Sequence, residues 1–279
     1  MTGLTAELVV DGRAPQTPAL APNGHLLCYV LASTSRIGDH LDTEVWLVDI
    51  DGAVAPRRAT ADTSTESRPR WSADSGTLFF LSDRAERGTP QVHRLTLADG
   101  TMTALTSWRA GVIDHLPLAH PNLVALLAED EPTEQDARRA RDRDDAIVVG
   151  EREPRARLRL LDLRTGRVTA PDVFGDRHVV ELRQRPDGGP LAVLTQVSAD
   201  NDYGPRTRQL HLFDPTTGTA EDLGPVEAEA RSLAWWPAED GWHLGYVALT
   251  PPVLQAGTAV FDLALASRVL RNRTAGLSM

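Results

Sequence analysis

Short apolar stretches of five to seven residues recur along the chain, each of them directly after a tight turn. The turns lie at 21–24, 73–76, 120–122, 186–188 and 237–241, and the apolar stretches at 26–31, 77–81, 123–127, 191–197 and 243–249. Gly and Asn tolerate positive φ, Pro presets φ, and Asp bonds its own backbone, so these residues favour turns. Runs that are apolar almost throughout predict strands that are covered on both faces.

A second strand follows each of these apolar strands and ends in a hairpin signal. The second strands are predicted at 44–49, 91–97, 157–163, 209–214 and 259–265. Dipeptides such as Asp99-Gly100 and Thr165-Gly166 then mark a tight return. A short outer strand follows, as at 101–105 and 167–170, and another strand precedes the turn, as at 68–72 and 232–236. Each unit is therefore predicted to hold four antiparallel strands.

The unit recurs about every 50 residues, a period typical of β-propeller blades. We predict an all-β fold, a partial or five-bladed β-propeller in a single domain that spans 1–279. The blade-like units are expected at about 11–60, 61–107, 108–171, 172–225 and 226–272. Neighbouring units must stack, because one unit alone has too little core. Thr5 to Val10 is a spare strand that either closes the ring as the outer strand of the last blade or is a frayed terminus.

A charged insertion interrupts the third unit at about 129–153, where the spacing between turns is longer than elsewhere. Pro132 suits a first helical turn, and acidic residues precede arginines, as in Glu134 and Arg138. The insertion is therefore expected to be a short solvated helix or a flexible flap. It could serve as a lid or docking arm, or be only a charged surface loop.

Charge and composition exclude several classes of function. The 279 residues carry a net charge of −10, which argues against a nucleic-acid-binding face. No apolar run approaches the length of a membrane span, and the first residues lack the pattern of a secretory signal. Cys28 is the single cysteine and lies within an apolar strand, where it is expected to pack as a small hydrophobic residue. A cytoplasmic location is the simplest expectation.

The sequence offers no catalytic, cofactor or metal site. A nucleophile elbow needs Gly-x-Ser-x-Gly, and Ser278 near the end lacks the second glycine. A glycine-rich phosphate loop is missing as well. His115 and His120, and His40 beside Asp39 and Asp42, are too few to converge on zinc. Asp200 to Gly204 faintly resembles a calcium loop but reads better as a hairpin loop.

Aromatic and charged residues give only weak binding candidates. Trp46, Trp71, Trp235, Trp236 and Trp242 lie on or beside predicted strands and are expected to pack. Trp108, in the loop 107–111, is the best candidate for an exposed aromatic on a propeller face. Asp83 and Arg84 are expected to form a structural ion pair at a strand end.

Arg70-Trp71-Ser72-Ala73-Asp74-Ser75-Gly76, with its continuation to Arg84, resembles the propeller repeat of TolB-like proteins and of the prolyl oligopeptidase family. The charged insertion, followed by 146–149 and 158–163, looks like the acylaminoacyl-peptidase and dipeptidyl-aminopeptidase branch. The resemblance implies a propeller that precedes an α/β-hydrolase domain with a Ser-Asp-His triad and restricts which peptides reach it. In this sequence the fifth unit is expected to end near the last residue, and no hydrolase domain is expected within the 279 residues.

Three functions therefore remain open. The first is the non-catalytic, substrate-gating half of such a peptidase, in a truncated or split form, whose partners are a peptide substrate or a separate α/β-hydrolase chain. The second is a stand-alone TolB-like propeller that binds a protein segment and has no link to peptidolysis. The third is a decayed remnant, which would be poorly soluble because its sheet edges are open.

Overall fold

The computed structural model describes residues 5, 11–34, 41–61, 63–144, 153–250 and 257–276. In these residues, twenty strands form five four-stranded antiparallel sheets, and the predicted all-β fold is confirmed. The strands of every sheet lie side by side in chain order, so each sheet is a meander. We call the sheets blades 1 to 5 in chain order.

The bounds of the strands and helices are as follows. Blade 1 contains β1 (Arg13–Leu20), β2 (Leu26–Ser33), β3 (Thr43–Asp49) and β4 (Arg57–Arg58). Blade 2 contains β5 (Glu66–Trp71), β6 (Thr77–Ser82), β7 (Gln91–Thr96) and β8 (Met102–Ala104). Blade 3 contains β9 (Val112–Pro117), β10 (Leu123–Glu129), β11 (Ala156–Asp162) and β12 (Val168–Thr169). Blade 4 contains β13 (His178–Gln184), β14 (Leu191–Gln196), β15 (Gln209–Asp214) and β16 (Thr219–Pro225). Blade 5 contains β17 (Arg231–Ala238), β18 (Gly241–Leu249), β19 (Thr258–Ala264) and β20 (Val269–Asn272). Helix α1 spans Glu134–Asp142, and a single 3-10 turn spans Gly204–Thr207.

The hairpin turns follow from the residue types found there. Gly100 and Gly166 adopt φ of +71° and +70°, a region that costs a glycine nothing. In the turn between β5 and β6, Asp74 Oδ1 accepts hydrogen bonds from Ser72 Oγ and from the backbone N of Gly76. Side chains of this kind stabilise a turn by replacing backbone hydrogen bonds, so the turns predicted from the sequence are formed.

The chain divides into two compact units. The first contains Met1–Ala137 and Leu161–Val168, and the second contains Arg138–Leu160 and Thr169–Met279. Blades 1 and 2 lie in the first unit and blades 4 and 5 in the second, while the residues of blade 3 fall mostly in the first. The expectation that the whole chain is a single domain stays a prediction.

In the first unit, neighbouring blades share apolar cores. Cys28, Val45 and Leu47 of blade 1 pack with blade 2 residues that include Leu78 and Phe80. The opposite face of blade 2 packs with blade 3 through a second cluster: Phe79, Leu81, Val92, Val112, Val124, Leu126 and Leu161. Because alternate residues of a strand point to opposite faces, Phe79 and Phe80 serve different cores.

The second unit repeats this arrangement between blades 4 and 5. Its core contains Ala192, Leu194, Leu210, Ala230, Leu233, Leu244, Tyr246, Ala248, Ala259, Phe261 and Leu263. Gly245 faces the ring of Trp236, and a Cβ at this position would lie 2.6 Å from two ring carbons. The glycine is therefore required by the close approach of the indole and not by a turn.

The apolar strand that follows the predicted turn in each unit is the second of the four strands of its blade, and it was predicted to be covered on both faces. This is confirmed for β6 and β10, in which all residues are buried except at the ends, and for β14, in which every residue is buried. The prediction is wrong for β2, in which buried and half-buried residues alternate. Within the first unit, β2 packs against blade 2 through the face that carries Cys28, and the residues that alternate with this face are half-buried.

Within the charged insertion, Glu134–Asp142 form helix α1, which has no buried residue. Thr133 caps it, since its Oγ1 accepts a hydrogen bond from Asp136 N at 3.2 Å while Asp136 Oδ2 accepts one from Thr133 N at 2.6 Å. Acidic residues occupy the first turn and arginines the last, as predicted.

Several sequence predictions lie outside the described residues. They concern the segment 146–149, His40 with Asp39, Ser278, and the spare strand at Thr5 to Val10, of which only Thr5 is described and lies in no strand. Neither of the two described helices combines the length and the apolar character needed to cross a bilayer.

Candidate functional site

Trp108 lies in the loop between β8 and β9, and its ring is half-buried. The indole packs against the cluster shared by blades 2 and 3, and Nε1 donates a hydrogen bond to the carbonyl oxygen of Glu129 at 2.9 Å. Gln91 holds the loop, since its Oε1 accepts from Trp108 N at 2.8 Å and its Nε2 donates to Trp108 O at 2.7 Å. The ring is thus partly covered, because the loop folds back onto the blades. A binding role for Trp108 stays a prediction.

The histidines considered as metal ligands do not converge. His115 is buried in β9, whereas His120 is exposed in the following turn. Burial lowers the pKa of His115 to about 3, and the positive charge of Arg70 acts in the same direction. In the Asp200 loop, Asp200 Oδ1 accepts from the backbone N of Asp202 and of Tyr203, so the side chain stabilises its own turn. The described residues contain no group of three or more metal-ligating side chains.

The contacts that most nearly resemble a nucleophile and its base lie inside blade 4. Thr195 Oγ1 is 3.0 Å from His211 Nε2, and His211 Nδ1 is 3.8 Å from Asp222 Oδ1. Arg177 Nε donates to the same threonine hydroxyl at 2.7 Å, and Phe174 packs edge-on against the His211 ring. Thr195 has 0% exposure within β14. No carbonyl could reach its hydroxyl, so the three side chains stabilise the blade and cannot attack a substrate.

Asp83 and Arg84 were expected to pair with each other, but each has a different partner. Arg84 Nη2 donates to Glu66 Oε1 at 2.7 Å. Asp83 accepts hydrogen bonds from Thr65 N at 2.7 Å and from Gly88 N at 3.1 Å. The expected ion pair is therefore wrong. Asp83 follows the strand end and stabilises two loops, whereas Arg84 turns back to the buried carboxylate of Glu66.

A cavity of about 180 Å³ lies between blades 2 and 3, within the first unit. We call it the Arg94 cavity; its walls are Ser72, Ala73, Asp74, Thr77, Phe79, Arg94, Pro117, Leu118, Ala119, Pro121, Leu123 and Leu163. Arg94 lies on β7, directly opposite Phe79 of β6 and on the same face of the sheet. Apolar side chains and one guanidinium therefore line most of the space.

The cavity exists because blade 3 lacks a tryptophan that blade 2 has. Trp71 ends β5 and pairs in register with Leu78, and Pro117 ends β9 and pairs in the same way with Val124. Trp71 packs into the core between blades 1 and 2, and its Nε1 donates to Ala19 O at 2.9 Å. The smaller ring of Pro117 leaves the corresponding space between blades 2 and 3 open.

Arg94 has no partner for its innermost nitrogen. Its Nε is shielded from solvent and donates no hydrogen bond to the described part of the chain. Arg70 pairs with Phe79 from the other side, on β5, and therefore lies on the same face of the sheet as Arg94. In contrast to Arg94 Nε, the Arg70 guanidinium donates to both carboxylate oxygens of Asp114 at 3.0 Å. Arg94 is not among the residues that the sequence pattern indicates as candidates. The signal that could have found it is Pro117, which occupies the repeat position of Trp71.

The comparisons with known proteins agree with this fold. No family model matches the chain. It is 28% identical over 146 residues to the "Uncharacterized peptidase YuxL" of Bacillus subtilis (strain 168), a match over 48% of this chain and 22% of that protein. The acylaminoacyl peptidase of Pyrococcus horikoshii superposes with a TM-score of 0.64 and 10% identity, over 97% of this chain and 41% of that one. TolB from Acinetobacter baumannii superposes with a TM-score of 0.55 and 15% identity, over 95% of this chain and 53% of that one.

The chain thus spans at most about half the length of these relatives. The structural likenesses show the TolB-like β-propeller fold that also occurs in acylaminoacyl peptidases, and the resemblance stated from the Arg70 to Arg84 motif is confirmed.

Proposed function

We propose that this chain is the non-catalytic propeller of a serine peptidase of the prolyl oligopeptidase type. The hydrolytic machinery would lie on an α/β-hydrolase, in a longer form of the same polypeptide or in a separate chain. The observation that carries the proposal is the match to a named peptidase together with a propeller fold found in an acylaminoacyl peptidase.

The proposed mechanism is steric. The propeller covers the mouth of the hydrolase, admits short or unfolded peptides and excludes folded proteins. Shared cores between neighbouring blades support this role, because they make each unit a rigid body rather than a set of loose sheets. The fully buried hydroxyl of Thr195 agrees with it too, since the side chains closest to a nucleophile and base cannot reach a substrate.

We further propose that the protein acts in the cytoplasm and that the chain is a truncated or split form of the enzyme. Cys28, the single cysteine, is fully buried in the core between blades 1 and 2, and burial raises the pKa of its thiol to about 12. Such a thiol stays protonated and unreactive, which fits a protein that uses no disulfide chemistry. Intact mass of the protein from its native source tests whether the chain is complete.

A second function is favoured by the likeness to TolB, which covers 95% of this chain. In this alternative the propeller stands alone and binds a segment of another protein.

Association with a hydrolase distinguishes the two functions. The DNA beside the coding region is first read for an α/β-hydrolase with Gly-x-Ser-x-Gly. Any such hydrolase is then mixed with the chain, and the mixture is run on a sizing column with light scattering. The peptidase proposal predicts a one-to-one complex. Two separate peaks at micromolar concentration, together with capture of a different protein segment, would support the stand-alone propeller instead.

A further inference from the structure

Arg94 presents a buried donor that the described protein does not satisfy. Guanidinium groups are charged at every physiological pH, and buried N–H groups in native proteins are nearly always paired. The Arg94 side chain also lines the wall of a cavity, so an acceptor from outside the chain has room to approach its guanidinium group.

We propose that the Arg94 cavity binds a monocarboxylate carried on a small apolar body. The carboxylate accepts charge-assisted hydrogen bonds from the Arg94 guanidinium, and the apolar body contacts Phe79, Leu123 and Leu163. Two kinds of ligand have this combination of groups. One is the C-terminal residue of a peptide, when that residue has an apolar side chain, and the other is a free small organic acid.

The charges in the wall favour one negative charge over two. Asp74 also lines the cavity, and hydrogen bonds from Ser72 Oγ and Gly76 N lower the pKa of its carboxyl group, so it remains ionised. One guanidinium and one carboxylate leave no net positive charge to hold a dianion such as phosphate. The carboxylate of a monocarboxylate ligand can face Arg94, while the apolar body of the same ligand separates that carboxylate from Asp74.

The size of the cavity limits the apolar body. A cavity of about 150 Å³ lined by aliphatic and aromatic side chains is known to hold a benzene ring. The Arg94 cavity, at about 180 Å³, therefore suits a phenyl or branched aliphatic group but not a folded segment. This inference does not depend on the proposed function, because it concerns the chain alone.

The test measures binding of four probes to the whole chain by NMR titration. They are 3-phenylpropionate, its uncharged amide, the tripeptide Ala-Ala-Phe with a free carboxylate, and the same tripeptide as an amide. We expect each carboxylate to bind at least about tenfold more tightly than its amide, the loss expected for one charge-assisted hydrogen bond. If the free acid binds and the tripeptide does not, the ligand is a small acid; if the tripeptide binds at least as tightly, it is a peptide end.

Two variants test the residues. Arg94→Gln should weaken carboxylate binding at least about tenfold while leaving amide binding unchanged. The matched control is Arg57→Gln, which changes an exposed strand arginine outside the cavity and should leave every affinity unchanged. Pro117→Trp should fill the cavity and abolish binding of all probes; if this variant does not fold, the Arg94→Gln result decides. Equal affinity for acid and amide, full affinity in Arg94→Gln, or no binding at millimolar concentration would overturn the proposal.

Discussion

Glu66 of blade 2 has a buried carboxylate that needs compensating partners, because the residue is only 1% exposed. Burial raises its pKa, while hydrogen bonds from Ser64 Oγ and Arg84, and the positive charge of Arg84, oppose that effect. Oε1 accepts all three of its hydrogen bonds, at 2.6 Å from Ser64, 3.1 Å from Ser82 and 2.7 Å from Arg84. The stability of the blade therefore depends on the one cation that faces this carboxylate.

Replacement of Arg84 tests this dependence. Arg84→Met leaves Glu66 buried without its cation, and we expect the free energy of unfolding to fall by about 3 kcal/mol. The measurement is urea unfolding at neutral pH, and Arg57→Met, on an exposed strand, should change it by less than about 0.5 kcal/mol. The double variant Arg84→Met with Glu66→Gln should recover part of the loss. A loss below about 1 kcal/mol in Arg84→Met would contradict the account.

Two buried histidines make stability depend on pH. Burial lowers the pKa of His115 to about 3 and that of His93 to about 4, and in each case a nearby arginine adds to the effect. In the unfolded chain a histidine titrates near 6.5. Between these values only the unfolded chain binds the proton, so the free energy of unfolding falls as the pH falls from about 6.5 towards 4.

His115→Leu should therefore flatten this pH dependence. We expect the slope of unfolding free energy against pH, between about 6 and 4.5, to decrease by up to about 1.4 kcal/mol per pH unit, the value for one proton. His243 has the opposite sign, because hydrogen bonds to Asp240 and Asp262 raise its pKa. His243→Gln is thus the matched control, and its slope should not decrease. An unchanged slope in His115→Leu would show that this histidine is not neutral in the fold.

At the scale of elements, tryptophans on the first strand of a blade link it to the blade before. Trp71 Nε1 donates to Ala19 O at 2.9 Å, and Trp235 Nε1 donates to Arg183 O at 3.0 Å. Each pair is separated by 52 residues, so the same contact recurs once in each unit. The indole fills space between two sheets and satisfies a strand carbonyl at the same time.

Trp71→Phe should reduce the free energy of unfolding by about 1–3 kcal/mol, because it removes the hydrogen bond and part of the buried ring. Trp235→Phe should cost a similar amount. In Trp46→Phe the lost hydrogen bond is only to Glu44 of the same strand, so we expect a smaller effect. Chemical denaturation of the three variants makes the comparison. An equal loss of unfolding free energy in all three variants would mean that the hydrogen bonds between blades contribute no more to stability than the bond within one strand.

Much of this architecture could be predicted from the sequence, because turn residues and apolar runs are local signals. The turn at Asp74 and the hairpin glycines are where the pattern predicts them. The partners of Asp83 and Arg84 could not be predicted, since they are set by which strand lies opposite and not by neighbours in the chain. Arg94 was missed for the same reason: a missing tryptophan in one blade creates a cavity beside an arginine of another.

At the scale of the whole molecule, five meander sheets of the propeller type give the chain repeated surfaces, and the Thr195 hydroxyl beside His211 is fully buried. The same fold occurs in TolB and in an acylaminoacyl peptidase, so the fold by itself does not determine the function. The proposed role therefore predicts a change in which substrates are cleaved rather than a reaction of its own.

The most direct test is the size selectivity of the α/β-hydrolase with and without this chain. Initial rates are measured for a short chromogenic peptide and for a folded protein substrate, with the hydrolase alone and with the chain in excess. The account predicts that hydrolysis of the short peptide persists while cleavage of the folded protein is lost when the chain is bound. If the ratio of the two rates stays the same, or if the chain hydrolyses the short peptide on its own, the central claim is contradicted.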